Sequence, residues 1–189
     1  MTALPLDNPP AETARADRAP DPAPSRLPAA ATGITEPAAY ELARLVPHYD
    51  GLDLLRAIRD GELPPPPVAE LLGFEIRGLA PGEVTFALTP ADKHYNPLGT
   101  VHGGVTATLV DTVMGCALHS RLGEGVGYTT LDISVRYLRP VTIQTGTVLA
   151  TGTLVHQGRR TATAEARVVA EDSGRLLATA TSTLLLVRP

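Results

Sequence analysis

The residues with chemical potential crowd into one stretch. Asn96-Pro97-Leu98-Gly99-Thr100-Val101-His102-Gly103-Gly104 leads into an apolar run, residues 105–118, whose single charge is Asp111. A lone carboxylate in apolar surroundings is costly unless something offsets it, and desolvation makes it a stronger proton acceptor. Gly103 and Gly104 open the run. If the run is a helix, their N–H groups lie at its positive end, without intrahelical partners, where a developing oxyanion can be held. Asn96 and His102 supply polar groups able to orient a carbonyl. Together these residue types suit attack of an activated nucleophile on an acyl carbon. Each also has a plain structural role. Asp111 could face a wet seam or cap a neighbouring N–H, the two glycines could make a tight entry turn, His102 could be an ordinary satisfied histidine, and Asn96 could serve only the turn.

The element that must carry these groups is the apolar run itself. At about 100° per residue, Val105, Ala107, Leu109, Val110, Val113, Met114, Cys116, Ala117 and Leu118 cover more than half its circumference. A surface helix has a narrower stripe, so this one is expected to be buried nearly all round. Thr108, Asp111, Thr112, Gly115 and His119 share the remaining sector. Gly103 and Asp111 are eight residues apart, a rise of about 12 Å on a straight helix. One carbonyl cannot touch both. Either the helix is broken, or each site draws on two chains.

Around this helix the pattern changes period. Residues 36–46 read as a helix, with Pro37 near its start and Pro47 ending it. Residues 52–60 read as a second, with Leu52, Leu55 and Ile58 on one side and Gly61 as its stop. Pro64 to Pro67 reads as a stiff spacer, and residues 68–72 as a helical turn. Phe74, Ile76 and Leu79, then Val84, Phe86 and Leu88, flank Pro81-Gly82 as a hairpin. After the central helix, alternation returns. Leu131, Ile133, Val135 and Tyr137 share one side of a strand, with Thr130, Asp132, Ser134 and Arg136 on the other. Further strands are expected over residues 145–156, 160–170 and 176–187. Wrapping this antiparallel sheet round the helix is the simplest way to bury it, and it makes an α+β domain.

Composition narrows the function. The chain has 189 residues and a formal net charge of -4, with no basic cluster, which argues against nucleic acid as a partner. Cys116 is the single cysteine and reads as packing, excluding an intrachain disulfide. His94, His119 and His156 have no metal-ligand spacing. Residues 1–34 are rich in Ala and Pro and poor in large apolar side chains, so a disordered tail is expected. No run is apolar enough to span a bilayer and no leader-like signal opens the chain, so no membrane association and a cytoplasmic location are expected.

Asn96-x5-His102-Gly103-Gly104-x6-Asp111, followed by Gly115 and by the segment from Tyr128 to Val141, resembles the PaaI-like hotdog-fold acyl-CoA thioesterases. The resemblance runs from about Leu71 to Val187, making residues 71–189 the thioesterase domain and residues 35–70 a helical extension with a proline spacer. It implies the hotdog fold and hydrolysis of an acyl-CoA thioester to free acid and coenzyme A. Asp111 would be general base or nucleophile, and the Gly103 N–H the oxyanion hole. Asn96 and His102 would orient thioester and water, and Thr129 would match a position carrying a hydroxyl near the water. A β-branched strand former explains Thr129 equally well. Arg136, Arg139, Arg159 and Arg160 are candidates for coenzyme A phosphates, with a solvated strand face and turn as the alternative. No metal or cofactor is implied, coenzyme A being part of the substrate. Dimeric members of the family look built with shared sites, so a homodimer, assembled further as a dimer of dimers, is expected. The alternatives are an enoyl-thioester hydratase on the same fold, or a non-catalytic acyl-CoA sensor, which would have no need of Asp111.

Overall fold

The computed structural model describes residues 38–188, so the expected tail over residues 1–34 lies outside the described residues. In chain order the elements are α1 (Ala38–Leu45), α2 (Gly51–Arg59), α3 (Pro67–Leu72), β1 (Phe74–Ala80), β2 (Glu83–Leu88), α4 (Gly103–His119), β3 (Gly127–Tyr137), β4 (Val148–Gln157), β5 (Thr161–Ala170) and β6 (Leu176–Val187). The strands form one antiparallel sheet in the order β1-β2-β4-β5-β6-β3, and α4 packs against β2, β3, β4, β5 and β6. This is the helix-wrapped sheet that the apolar run demanded.

The close fit of helix to sheet follows from small side chains. On β5, Ala162, Ala164, Ala166, Val168 and Ala170 point inward and are buried, while Thr161, Thr163, Glu165 and Arg167 are exposed. On β6, Ala178, Ala180, Ser182 and Leu184 continue the buried face. Leu109, Val110, Val113, Met114, Ala117 and Leu118 of α4 fill the space with no exposed surface. Leu55 of α2 and Ala69 of α3 join the same buried cluster, so the helical extension covers the core that β1 and β2 leave open.

Boundaries differ locally from expectation. The first α-helix ends at Leu45, and Pro47 sits inside a 3-10 turn, Val46–His48, where its missing N–H removes no helical bond. On α2 the fully buried side chains are Leu54, Leu55 and Ala57, with Leu52 and Ile58 half-buried. Pro67 is already the first residue of α3. The strand expected from residue 145 begins at Val148 because Ile143–Thr145 closes a 3-10 turn, with the Thr142 N–H donating to Thr145 Oγ1 at 3.0 Å.

β3 departs most from simple alternation. Its pairing with β6 slips between Thr130 and Asp132, leaving Leu131 as a bulge. Residues opposite one another in an antiparallel pair point to the same face. Tyr128 and Thr130 pair with Leu186 and Leu184, and Ile133, Val135 and Tyr137 with Ser182, Ala180 and Ala178, so all five face the helix side. Leu131 does not share that side as the plain alternation required, because the bulge removes it. Leu131 is 55% exposed and Tyr137 53%. β3 is also an edge strand of the sheet, so apolar side chains and ladder groups lie uncovered along one border.

Candidate active site

The entry to α4 is built by its turn. Tyr95 and Val101 bridge, and Gly99 takes φ 80° to close the loop between them. Asn96 Oδ1 accepts the N–H of Leu98 at 2.9 Å and that of Thr100 at 3.3 Å, and Asn96 Nδ2 donates to Thr100 Oγ1 at 3.1 Å. Its side chain therefore shapes the loop that delivers the helix. His102 is the N-cap: Nδ1 accepts the Gly104 N–H at 2.9 Å, so a neutral ring carries its proton on Nε2. Among the described residues no acceptor engages the Gly103 N–H, which stands at the positive end of α4. The Gly103 carbonyl accepts the Tyr137 hydroxyl at 2.8 Å. Asn96, Gly103, Thr106, Tyr137 and Arg139 line a cavity of about 340 Å³.

Buried histidines stand near both ends of α4. His94 donates from Nε2 to the Leu72 carbonyl and accepts the Ala91 N–H on Nδ1, each at 2.9 Å. Its own carbonyl accepts the His102 N–H at 2.7 Å, linking α3 to the N-cap of α4. His119, at the last turn of α4, has neither ring nitrogen hydrogen-bonded among the described residues and packs on Tyr128 with ring centroids 5.7 Å apart. Burial depresses both histidines below the ordinary value of 6.5; at His94 the Leu72 carbonyl opposes the shift and Lys93 adds to it. The folded state therefore prefers both rings neutral. The stability this gives is complete above the unfolded-state pKa and is lost as pH falls from about 6.5 through the folded values. Melting temperature is expected to be level above about pH 7.5 and to decline below about pH 6.5, before carboxylates titrate. His119→Phe, which keeps an aromatic ring, should reduce that slope. An unchanged slope in a folded His119→Phe protein would remove His119 from the account.

Asp111 lies two turns along α4 and is half-buried. Thr130 Oγ1 donates to its Oδ1 at 2.9 Å, and Oδ2 has no hydrogen bond among the described residues. The hydroxyl that meets the carboxylate within one chain is thus Thr130's, and Thr129 is not hydrogen-bonded to Asp111 among the described residues. Thr129 pairs with Leu185 on the opposite face from the Thr130–Leu184 pair, and it is exposed. The Tyr128 hydroxyl rests on Gly115, one turn beyond Asp111. Burial first, and then the charge of Asp111, hold that phenol well above its ordinary pKa. The Cys116 thiol is pushed up to about 12, first by burial and then by Asp111, so it stays protonated and is no nucleophile.

α4 is continuous over 17 residues, which removes the broken-helix alternative. Gly103 and Asp111 of one chain are held about 12 Å apart. The four arginines are not brought together. Arg139 faces the cavity containing Asn96 and Gly103, with Nη1 on the Leu176 carbonyl at 2.6 Å. Arg136 lies on the outer sheet face across Thr179 from Arg167. Arg159 and Arg160 are exposed in the β4–β5 turn. Among the described residues no group of three His, Cys, Asp or Glu side chains is placed to hold a metal ion, and no helix is long and apolar enough to cross a membrane. Sequence reasoning missed Thr130, Tyr137 as the partner of Gly103, and His94. The Tyr128–Val141 segment contained the first two, but only strand register separates Thr130 from Thr129.

The model of the Thioesterase superfamily matches residues 98–177. Acyl-coenzyme A thioesterase 13 of Mus musculus is 32% identical over 99 residues, 52% of this chain and 69% of that protein. A phenylacetic acid degradation-related protein from Ralstonia eutropha aligns at 29% identity, covering 69% of this chain and 97% of its own, with TM-score 0.62. A Streptococcus mutans protein bound to acetyl-CoA aligns at 30% identity over 61% of this chain and 91% of its own, with TM-score 0.55. The chain spans about two thirds of the length of the curated relatives it matches. It belongs to the thioesterase superfamily, whose common chemistry is thioester hydrolysis. Within that superfamily its fold is the hotdog, and its kin are PaaI-like.

Proposed function

We propose that the protein hydrolyses an acyl-CoA thioester to a free carboxylic acid and coenzyme A, in a homodimer with two shared sites. The observation that carries this reading is the unpaired Gly103 N–H at the positive end of an unbroken helix whose one carboxylate, Asp111, sits two turns away with a free oxygen. The thioester oxygen accepts the Gly103 N–H. Asp111 either removes a proton from water, whose oxygen then attacks the acyl carbon, or attacks that carbon itself to give a mixed anhydride that water cleaves. In both routes the C–S bond breaks and the thiolate leaves, to be protonated as coenzyme A. Thr130 orients Asp111, and Tyr137 fixes the Gly103 peptide. Asn96 and His102 border the thioester, and Arg139 is the best placed of the arginines for a coenzyme A phosphate, having donors beyond the one on Leu176. This chemistry calls for no metal and no further cofactor.

Two antiparallel α4 helices about a two-fold axis bring Asp111 of one protomer beside Gly103 of its partner. The uncovered β3 edge, with Leu131, Ile133 and Tyr137 along it, supports a second copy as what covers that border. Complementation tests the shared site. Gly103→Pro removes the N–H at the first helical position, where proline is tolerated. His102, at φ -59° and ψ 134°, already has the conformation a following proline requires. Co-expressed with Asp111→Ala, each variant being inactive alone, it should form mixed dimers with one doubly altered and one intact site. Random pairing restores roughly a quarter of all sites. No recovery in confirmed mixed dimers of folded variants would exclude sharing between chains.

A further inference from the structure

A second cavity, of about 750 Å³, opens between α4, α2, β1 and the proline segment. Thr112 and Cys116 of α4 form its floor; Thr112 follows Asp111 directly, and the Cys116 thiol feels the charge of that carboxylate. Phe74, Ile76 and Phe86 form one wall. The opposite wall is Leu55 and Ile58 of α2 with Leu63 to Pro66. Apart from the rim, where Arg59, Glu62 and Glu75 are exposed, and the floor, where the Thr112 hydroxyl is tied to the Thr108 carbonyl at 2.8 Å, the lining side chains are predominantly apolar. Its volume is in the range that accommodates a small-molecule ligand.

The outer wall lies N-terminal to the residues that match the superfamily, 98–177. It is also held firmly. The Gly51 N–H at the start of α2 donates to the Leu122 carbonyl at 2.9 Å, and a Cβ at Gly51 would overlap the His119 carbonyl oxygen, so α2 is seated directly on the end of α4. Proline at positions 64 to 67 stiffens the chain that completes the wall. An apolar chamber whose floor includes Thr112, next in the chain to the reacting carboxylate, and whose far side is a stiff proline wall has the chemistry to receive the hydrocarbon end of a thioester.

We infer that this cavity takes the acyl chain, and that the N-terminal extension selects apolar acyl groups of medium to long length over acetyl. The inference rests on the thioesterase reading above. Each buried methylene is expected to raise kcat/KM about 3- to 4-fold until the chamber is filled.

The full chain should be assayed with acetyl-, hexanoyl- and decanoyl-CoA by thiol release, expecting a steep rise with length. Ile58→Trp narrows the chamber and should lower the decanoyl-to-acetyl ratio of kcat/KM by about tenfold or more, the effect of excluding a few methylenes. A second variant reads binding without turnover. The protein has no tryptophan, and Val68 lines the cavity while 45% exposed, so Val68→Trp introduces one reporter at a tolerant position. Its emission should change saturably with decanoyl-CoA and not with acetyl-CoA. If none of the thioesters is hydrolysed but the indole responds to decanoyl-CoA, the functional reading fails and the acyl site stands. A rate independent of chain length, an unchanged ratio in folded Ile58→Trp, or an indole silent to decanoyl-CoA overturns the acyl site.

Discussion

Asp111→Asn is expected to lower kcat by about 10²- to 10⁴-fold, the range associated with loss of a positioned proton acceptor, while acyl-CoA binding and melting temperature stay close to wild type. The asparagine keeps the shape, and its Oδ1 can still accept the Thr130 hydroxyl that lies 2.9 Å from the Asp111 carboxylate. What it loses is basicity and nucleophilicity at the free oxygen. Because the lesion touches the chemical step and not the ground-state complex, kcat and kcat/KM should fall together. Binding is measured by calorimetry with the variant, turnover by thiol release. Wild-type turnover in the purified variant would make Asp111 a structural carboxylate and end its assignment as base or nucleophile.

A large effect on stability is expected at Gly152, in the middle of β4. A Cβ there would overlap the carbonyl carbon and oxygen of Val113 and lie 2.8 Å from the Met114 nitrogen. These are backbone atoms of α4, a helix pinned on several sides by buried side chains, so no flexible side chain can swing away. Gly152→Ala must push α4 from the sheet or bend β4. Its cost is expected at about 3 kcal/mol or more, the upper part of the overpacking range. For a domain of this size that is a fall in melting temperature of roughly 6–12 °C. Gly127→Ala is the internal comparison. It is also a strand glycine, but the nearest atom to its Cβ would be the Val187 oxygen at 3.9 Å, so little change is expected. Similar melting temperatures for the two variants would show that α4 and β4 are not in the close contact described.

The same helix shows where sequence was enough. The apolar residues of 105–118 are too many for one stripe, so burial all round, and with it a sheet wrapped about the helix, followed from periodicity alone. The strict alternation of Ala162, Ala164, Ala166 and Val168 with polar residues is enough to define the inner face of β5. The separation of Gly103 from Asp111 along one helix axis was a matter of counting, and it already required either a break or a second chain. The motif around them supplied the family.

Other features needed the folded chain, for reasons of register and distance. A bulge at Leu131 has no signature in a run of alternating residues, yet it decides that Leu131 leaves the side of Ile133 and Val135. Thr129 and Thr130 are the same residue type, and only the Thr130–Leu184 pairing across strands tells which hydroxyl meets Asp111. Tyr137 reaches Gly103 from 34 residues away, and His94 reaches back to Leu72 across 22, contacts set by how the turns and strands close. The proline segment read as a spacer because nothing local shows what it leans on. Folding places it opposite Thr112 and Cys116, where a stiff stretch of chain becomes the wall of a cavity. Sequence thus determined which faces must be buried and which side chains could react. Tertiary structure decided which of those side chains meet, because strand pairing and helix docking join residues whose spacing along the chain carries no record of the contact.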